Sequence, residues 1–239
     1  MLKIYLIRKI LNFFDYFQQK KILSILKIKI KNKPVLFDVG AHYGETINTF
    51  KKNFNFQEIH SFEVSEKNFN ILTRKYKDFK DAQIFLNNYG LSDKNKESVI
   101  KEFVESSSST LSKINEKSLY LKRKLKILGI FKNNNYYKNS KVKLDLLDNY
   151  LIRKKIEKID LLKIDTEGHE YFVLKGSLNS LSKIKYIYFE HHYDDMLHKG
   201  YTFSEIHKLL IKNHFKKIYK SKMYFRKTFE YIYENSKFN

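Results

Sequence analysis

The sequence predicts an open α/β domain built on a mostly parallel sheet. From Pro34 onward, short apolar runs alternate with helical patterns, and the first run leads directly into a glycine turn, "FDVGAHYGE", which carries Asp38, Gly40 and Gly44. Strands that alternate with helices pair in parallel through right-handed crossovers. Glu63, closing the second strand about 20 residues beyond the turn, adds the acidic residue that such folds set beside a ligand.

Residues 35 to 39 read as the first strand because their run is almost wholly apolar, as in a strand buried on both faces. Residues 45 to 54 follow as a helix, 58 to 64 as a strand, 66 to 76 as a helix and 83 to 87 as a third strand. Residues 105 to 140 break the rhythm with a serine run, a basic helix-like piece and an asparagine-rich stretch, which predicts an excursion above the sheet. Afterwards "KVKLDLL" leads into a short helix, 158 to 165 form an apolar strand and 169 to 176 a helix. Residues 184 to 192 form a further strand, 203 to 213 a helix, and the tail two strands turning near Lys220 to Lys222. No repeat or linker divides residues 34 to 239, so they read as one domain.

Ahead of it, residues 1 to 33 read as a basic helical extension. Leu6, Ile7, Ile10, Phe14 and Phe17 recur at helical spacing, which predicts an amphipathic helix over 2 to 19. Nine basic residues stand against Asp15 in this segment, and ten against Glu116 in residues 113 to 143. An apolar face with excess basic charge fits either packing on the domain or an anionic membrane surface. The net charge of +21 is a weaker signal, because codon bias toward lysine would raise it everywhere. Zero cysteines exclude a disulfide framework and a thiolate metal site, and no apolar run reaches the ~20 residues of a membrane-spanning helix. A cytoplasmic location follows as the expectation, on the inner membrane face if the extension binds lipid.

The glycine turn narrows the ligand. Gly40 and Gly44 do not make the G-x-G-x-x-G pattern that sets backbone N–H groups on a pyrophosphate. Asp38 would repel phosphates, yet it suits a ligand bearing an ammonium and a sulfonium, namely S-adenosylmethionine.

With "SFEVSEKNFNIL", "NNYGLSDKNKE", "VKLDLLDNYL" and above all "IDLLKIDTEGHEYFVLKGS", these residues resemble the FkbM family of S-adenosylmethionine-dependent methyltransferases, in the family's order over most of residues 34 to 190. The resemblance implies a Rossmann-like class I methyltransferase with a seven-stranded sheet flanked by helices, and O-methylation of a sugar, glycan or related small molecule. Carried over by motif, it implies a cofactor site of Asp38, Gly40, Ala41, Tyr43, Gly44, Glu63 and Asn88. Its "D-x-E-G-x-E" block falls on Asp165, Glu167, Gly168 and Glu170. Two features depart from the family: Val64 stands where a proline is common, and the basic segment 113 to 140 is long.

The strand ending at Asp165 is expected to neighbour the first strand across the switch in strand order, which brings "DTEGHE" beside the glycine turn. Methyl transfer to a hydroxyl needs a group that accepts its proton, and Asp165, Glu167 and His191 are the candidates, with His169 behind them. A divalent ion on Asp165, Glu167, Glu190 and His191 matches no recognised spacing, so no metal site is expected. The other functional class is a catalytically idle basic module holding RNA or an anionic glycan. The aromatic residues sit mostly at strand positions, where packing explains them better than base stacking, so nucleic acid is disfavoured.

Overall fold

The computed structural model describes residues 17–31, 33–76, 83–106, 108–130, 136–223 and 227–238. Helix α1 covers residues 17–29. The chain then alternates through β1 (Val35–Val39), α2 (Glu45–Asn53), β2 (Glu58–Phe62), α3 (Glu66–Tyr76) and β3 (Ile84–Asn87). Three strands, β4 (Gly90–Leu91), β5 (Lys96–Phe103) and β6 (Lys113–Ile114), precede α4 (Leu119–Ile127), β7 (Tyr137–Asp145) and α5 (Leu147–Lys154). The second half holds β8 (Ile159–Ile164), α6 (Glu170–Lys175), β9 (Ile184–His192), β10 (Leu197–His198), α7 (Phe203–Lys212), β11 (Phe215–Lys222) and β12 (Thr228–Asn235).

The main sheet has seven strands in the order β11-β12-β9-β8-β1-β2-β3. β3, β2, β1, β8 and β9 run parallel, and β12 runs antiparallel between β9 and β11. This is the mostly parallel seven-stranded arrangement expected from the sequence. Strand order reverses between β1 and β8, where the carboxyl ends of both strands open a crevice. β11 stays paired with β12 through Lys222, so the residues read as the turn, Lys220 to Lys222, belong to the strand.

Side chains alternate across a strand, so each residue's parity decides which layer it meets. Phe37, Leu162, Ile164, Ile187, Phe189, Tyr231 and Tyr233 face α5, α6 and α7 and form the larger core. Leu36, Leu161, Tyr186 and Ile232 pack with α1, α2 and α3 in the second core. The second face turns polar towards the carboxyl ends: Asp38, Lys163 and Tyr188 lie in register across β1, β8 and β9, and Glu190 lies opposite Glu230 on β12.

The amphipathic helix expected over 2 to 19 falls mainly outside the described residues. From residue 17 on, α1 packs into the domain along an i,i+4 stripe, with Ile22, Leu26 and Ile30 buried in the second core and Gln18 Nε2 bonded to Glu230 at 2.5 Å. Phe17, on the predicted apolar face, is 52% exposed. The described part of the 1 to 33 extension therefore belongs to the domain.

The described residues of the excursion between β3 and α5 form a cap. β5 pairs antiparallel with β7 along its whole length, an element that the charged alternation of "KESVIKEF" hides from a search for apolar runs. β6 pairs with β10, and α4 buries Leu121 and Leu125 against Phe103, Ile114, Met196 and Leu197. Ser118 starts α4 by accepting the Leu121 N–H at 3.1 Å.

Candidate active site

A cleft of about 1370 Å³ opens at the carboxyl ends of β1, β2, β8 and β9 and is roofed by the cap. At its floor the glycine turn leaves β1. Gly40 has φ +87°, and a Cβ there would lie 1.9 Å from the Asp165 carbonyl oxygen, so only glycine lets the two loops touch. The Gly40 and Ala41 N–H groups donate to the Phe62 carbonyl at 2.9 and 3.0 Å. Glu63 holds the turn from β2: it accepts the His42 N–H at 2.7 Å and the Ser65 N–H at 2.9 Å. Burial pushes its carboxyl up to about 7 against those bonds.

The second loop, from Asp165 to His169, lies across the switch point. Glu170 is its anchor, accepting from the Thr166 N–H and hydroxyl, the Gly168 N–H and the Tyr201 hydroxyl. Lys163 sits between Asp38 and Asp165, 3.3 Å from each. Burial alone would lower its pKa, but the two carboxylates outweigh that and raise it. Asp38 is fully buried, and desolvation pushes it up to about 6. His169 donates to or accepts from Ser92 Oγ at 2.9 Å and stacks on Phe172, and burial pulls it down to about 4.

The strand-end histidines separate by parity. His191 faces the α7 layer, with its ring 4.8 Å from Tyr193, 5.7 Å from Phe203 and 5.9 Å from Tyr201. It does not line the cleft, so the expectation that it acts as base is corrected: one step along β9 turns the neighbouring His192 inward. His192 Nε2 lies 3.4 Å from Glu167 and 3.2 Å from Glu190, and its Nδ1 lies 3.4 Å from Asp194. Burial opposes its charge, but Glu167 and its other acidic neighbours raise its pKa well above the usual value. Glu167 is pushed up to about 7 by burial, against the pull of His192 and Lys124. Glu167 Oε2 and His192 Nε2 face each other in the cleft, and neither meets hydrogen-bond geometry with any described group.

A Methyltransferase FkbM domain model matches residues 38–219, more than half of the chain. The chain belongs to the FkbM methyltransferase family. Among solved structures, an FkbM methyltransferase from Methylobacillus flagellatus KT is 13% identical with a TM-score of 0.55, covering 86% of this chain and 44% of that one. The chain thus spans less than half the length of that relative. A putative rRNA methylase from Clostridium thermocellum is 8% identical with a TM-score of 0.53, over 92% of this chain and 97% of that one. An rRNA methylase from Streptococcus thermophilus is 10% identical with a TM-score of 0.50, over 90% and 94%. At these identities the likeness concerns the fold alone. No curated protein matches the chain.

In this member of the FkbM methyltransferase family, Gly40, Ala41, Glu63, Asp165 and Glu167 line the cleft. Four other candidates shape it from behind. Asp38 pairs with Lys163 and does not line the cleft; Asn88 Nδ2 donates to the Glu63 carbonyl at 2.9 Å. Gly44, with φ +81°, packs against Tyr76 and Leu72, and Tyr43 bonds Ser106 Oγ at 2.9 Å.

The serine run that opens the excursion read from the sequence acts as the FkbM domain's clamp. Ser106 Oγ meets His42 Nε2 at 2.8 Å, while Thr110 Oγ1 donates to the Glu167 carbonyl at 2.6 Å and Ser112 Oγ to the Gly168 carbonyl at 2.8 Å. One segment thereby ties both cleft loops together. Hydroxyl residues at the start of the excursion were the signal, and a serine run alone does not distinguish a clamp from a linker.

His191 gives a direct test of its packing role. Burial first, then Lys199 and His192, pull its pKa down to about 3, so its native form is neutral. A depressed histidine contributes stability that is present above about 6.5 and lost as pH falls towards its folded value. His191→Phe should keep turnover and keep its stability in acid, gaining on wild type by at most ~1.4 kcal/mol per pH unit below about 6.5. Urea titrations from pH 7.5 to 5 would show this, and a loss of turnover in the folded variant would restore His191 to the chemistry.

Proposed function

We propose that this chain is an S-adenosylmethionine-dependent O-methyltransferase acting on a hydroxyl of a sugar or related small molecule. The observation that carries the reading is the convergence, in one cleft, of a glycine turn with Glu63 on one side and the Glu167–His192 pair on the other. Family membership supports the cofactor.

The residues present fit that cofactor. Glu63 offers a carboxylate at the end of β2 for ribose hydroxyls, Gly40 and Ala41 expose backbone at the closest approach, and Phe62, Val64 and Leu91 supply apolar lining for a purine. Asp165 supplies negative charge on the opposite flank. When bound, S-adenosylmethionine supplies an electrophilic methyl group.

On the acceptor side, Glu167 is the group placed to take the hydroxyl proton. A carboxyl raised to about 7 divides its time between the two protonation states near neutral pH, where proton transfer is most effective. His192, held cationic by Glu167, Glu190 and Asp194, fixes that carboxylate and stays charged throughout. The cap and its Ser106, Thr110 and Ser112 bonds hold the two loops in one geometry and shield the cleft from water.

Calorimetric titration of S-adenosylmethionine into the full chain tests the reading. Saturable one-to-one binding is expected. An idle binding module would take up an anionic polymer and give no heat with the cofactor.

A further inference from the structure

We infer that the acceptor carries an anionic oxygen group, a carboxylate or a phosphate, which Arg123 engages on the wall of the cleft. The inference rests on the proposed function and adds the chemical class of its substrate.

Tyr120, Arg123, Lys124 and Ile127 of α4 line the cleft at i, i+3, i+4 and i+7, while Leu121 and Leu125 fix the helix from its other side. Apart from Lys227, the cleft's other cations are spoken for. Lys163 is shared by Asp38 and Asp165, His192 lies among Glu167, Glu190 and Asp194, and Lys124 bonds Ser108 and lies 3.6 Å from Glu105. Arg123 is exposed, and no described residue pairs with it. Lys227, beside the β11–β12 turn, is likewise exposed on the cleft without a described side-chain partner.

Residue type strengthens the case. Lysine is this chain's ordinary cation, and only Arg8, Arg74, Arg123, Arg153 and Arg226 are arginines among 47 basic residues. Of these, Arg153 already serves a carboxylate, at 2.7 Å from Asp145. A guanidinium offers a planar fork that matches carboxylate or phosphate oxygens with two parallel bonds, which an ammonium does not. The carboxylates of Asp165, Glu167, Glu190 and Glu230 also line the cleft, and Glu105, the acid beside α4, already meets Lys124. An anionic group is repelled by those carboxylates and drawn to Arg123, which orients one acceptor: its acid on Arg123, its hydroxyl towards Glu167.

The test uses the full chain and three probes of similar size: glucose, glucuronate and glucose 6-phosphate, each titrated by calorimetry into wild type, Arg123→Gln and Arg123→Lys. One or both anions should bind wild type at least tenfold more tightly than glucose, the better one naming carboxylate or phosphate. Arg123→Gln should erase that preference, Arg123→Lys should recover part of it, and it should weaken as salt rises. Arg123 is exposed, so the variants should melt like wild type. Equal affinity for all three probes, including no binding of any, or an unchanged preference in Arg123→Gln, overturns the inference. S-adenosylmethionine titrated into the same samples keeps the two ideas apart. Its binding should be the same in all three proteins, and its failure in wild type would remove the proposed function without altering the probe comparison.

Discussion

Glu167→Gln should lower kcat by about 10²- to 10⁴-fold while leaving affinity for S-adenosylmethionine within a few-fold, the range lost with a positioned proton acceptor. The amide keeps the shape of the side chain and its place opposite His192, 3.4 Å away, but cannot take a proton. Burial sets the carboxyl at about 7, so wild-type kcat/KM should rise with pH through about 7 as Glu167 loses its proton. That rise should vanish in the variant. His192→Gln should act in the same direction by removing the cation that holds the carboxylate, whereas His191→Phe should leave turnover alone. Wild-type turnover in Glu167→Gln, with the pH profile intact, would take Glu167 out of the chemistry.

Glu63→Gln should weaken S-adenosylmethionine by about ten- to a hundred-fold, since a hydrogen bond to a charged acceptor contributes about 1.5 to 3 kcal/mol. The variant also sets an NH₂ against one of two backbone donors, from His42 or Ser65, so some loss of stability is expected with it. pH separates the two effects. The native carboxyl titrates near 7, well above an unfolded glutamate, so the folded state binds more protons between about 4.5 and 7. Its contribution to stability is therefore full below about 4.5 and is lost as pH rises through about 7. Melting curves should show a shallower slope over this range in Glu63→Gln than in wild type, by this group's share, since Asp38, Glu167 and Glu230 are raised as well. Unchanged cofactor affinity in the folded variant would remove Glu63 from the site.

The parts of this molecule that were legible in its sequence are those set by backbone period and by glycine. Five consecutive buried positions in β1 and the apolar run of β8 announce parallel strands, and the strand over residues 184 to 192 appears with the ends read from its sequence. Gly40 was legible because a loop crossing at 1.9 Å from a Cβ position tolerates nothing else. Choices between neighbours were not. His191 and His192 differ by one residue, and only the sheet register, which pairs His192 with Thr228 and His191 with Phe229, assigns their faces. Asp38 was read correctly as acidic and close to the turn, but its charge is matched by Lys163 on the next strand, a partner 125 residues away. The clamp formed by Ser106, Thr110 and Ser112, and the docking of α1 by Ile22 and Leu26, likewise depend on long-range contacts that no local pattern records.

The most direct measurement is methyl transfer itself. The full chain would be incubated with S-adenosylmethionine labelled with carbon-13 in its methyl group and with a panel of neutral, carboxylated and phosphorylated sugars, and the products read by NMR. A new labelled methoxy signal on a sugar oxygen, absent with Glu167→Gln, is the predicted result. Label that stays on the cofactor with every sugar, or that moves to a nitrogen or carbon atom, would contradict O-methylation by this cleft.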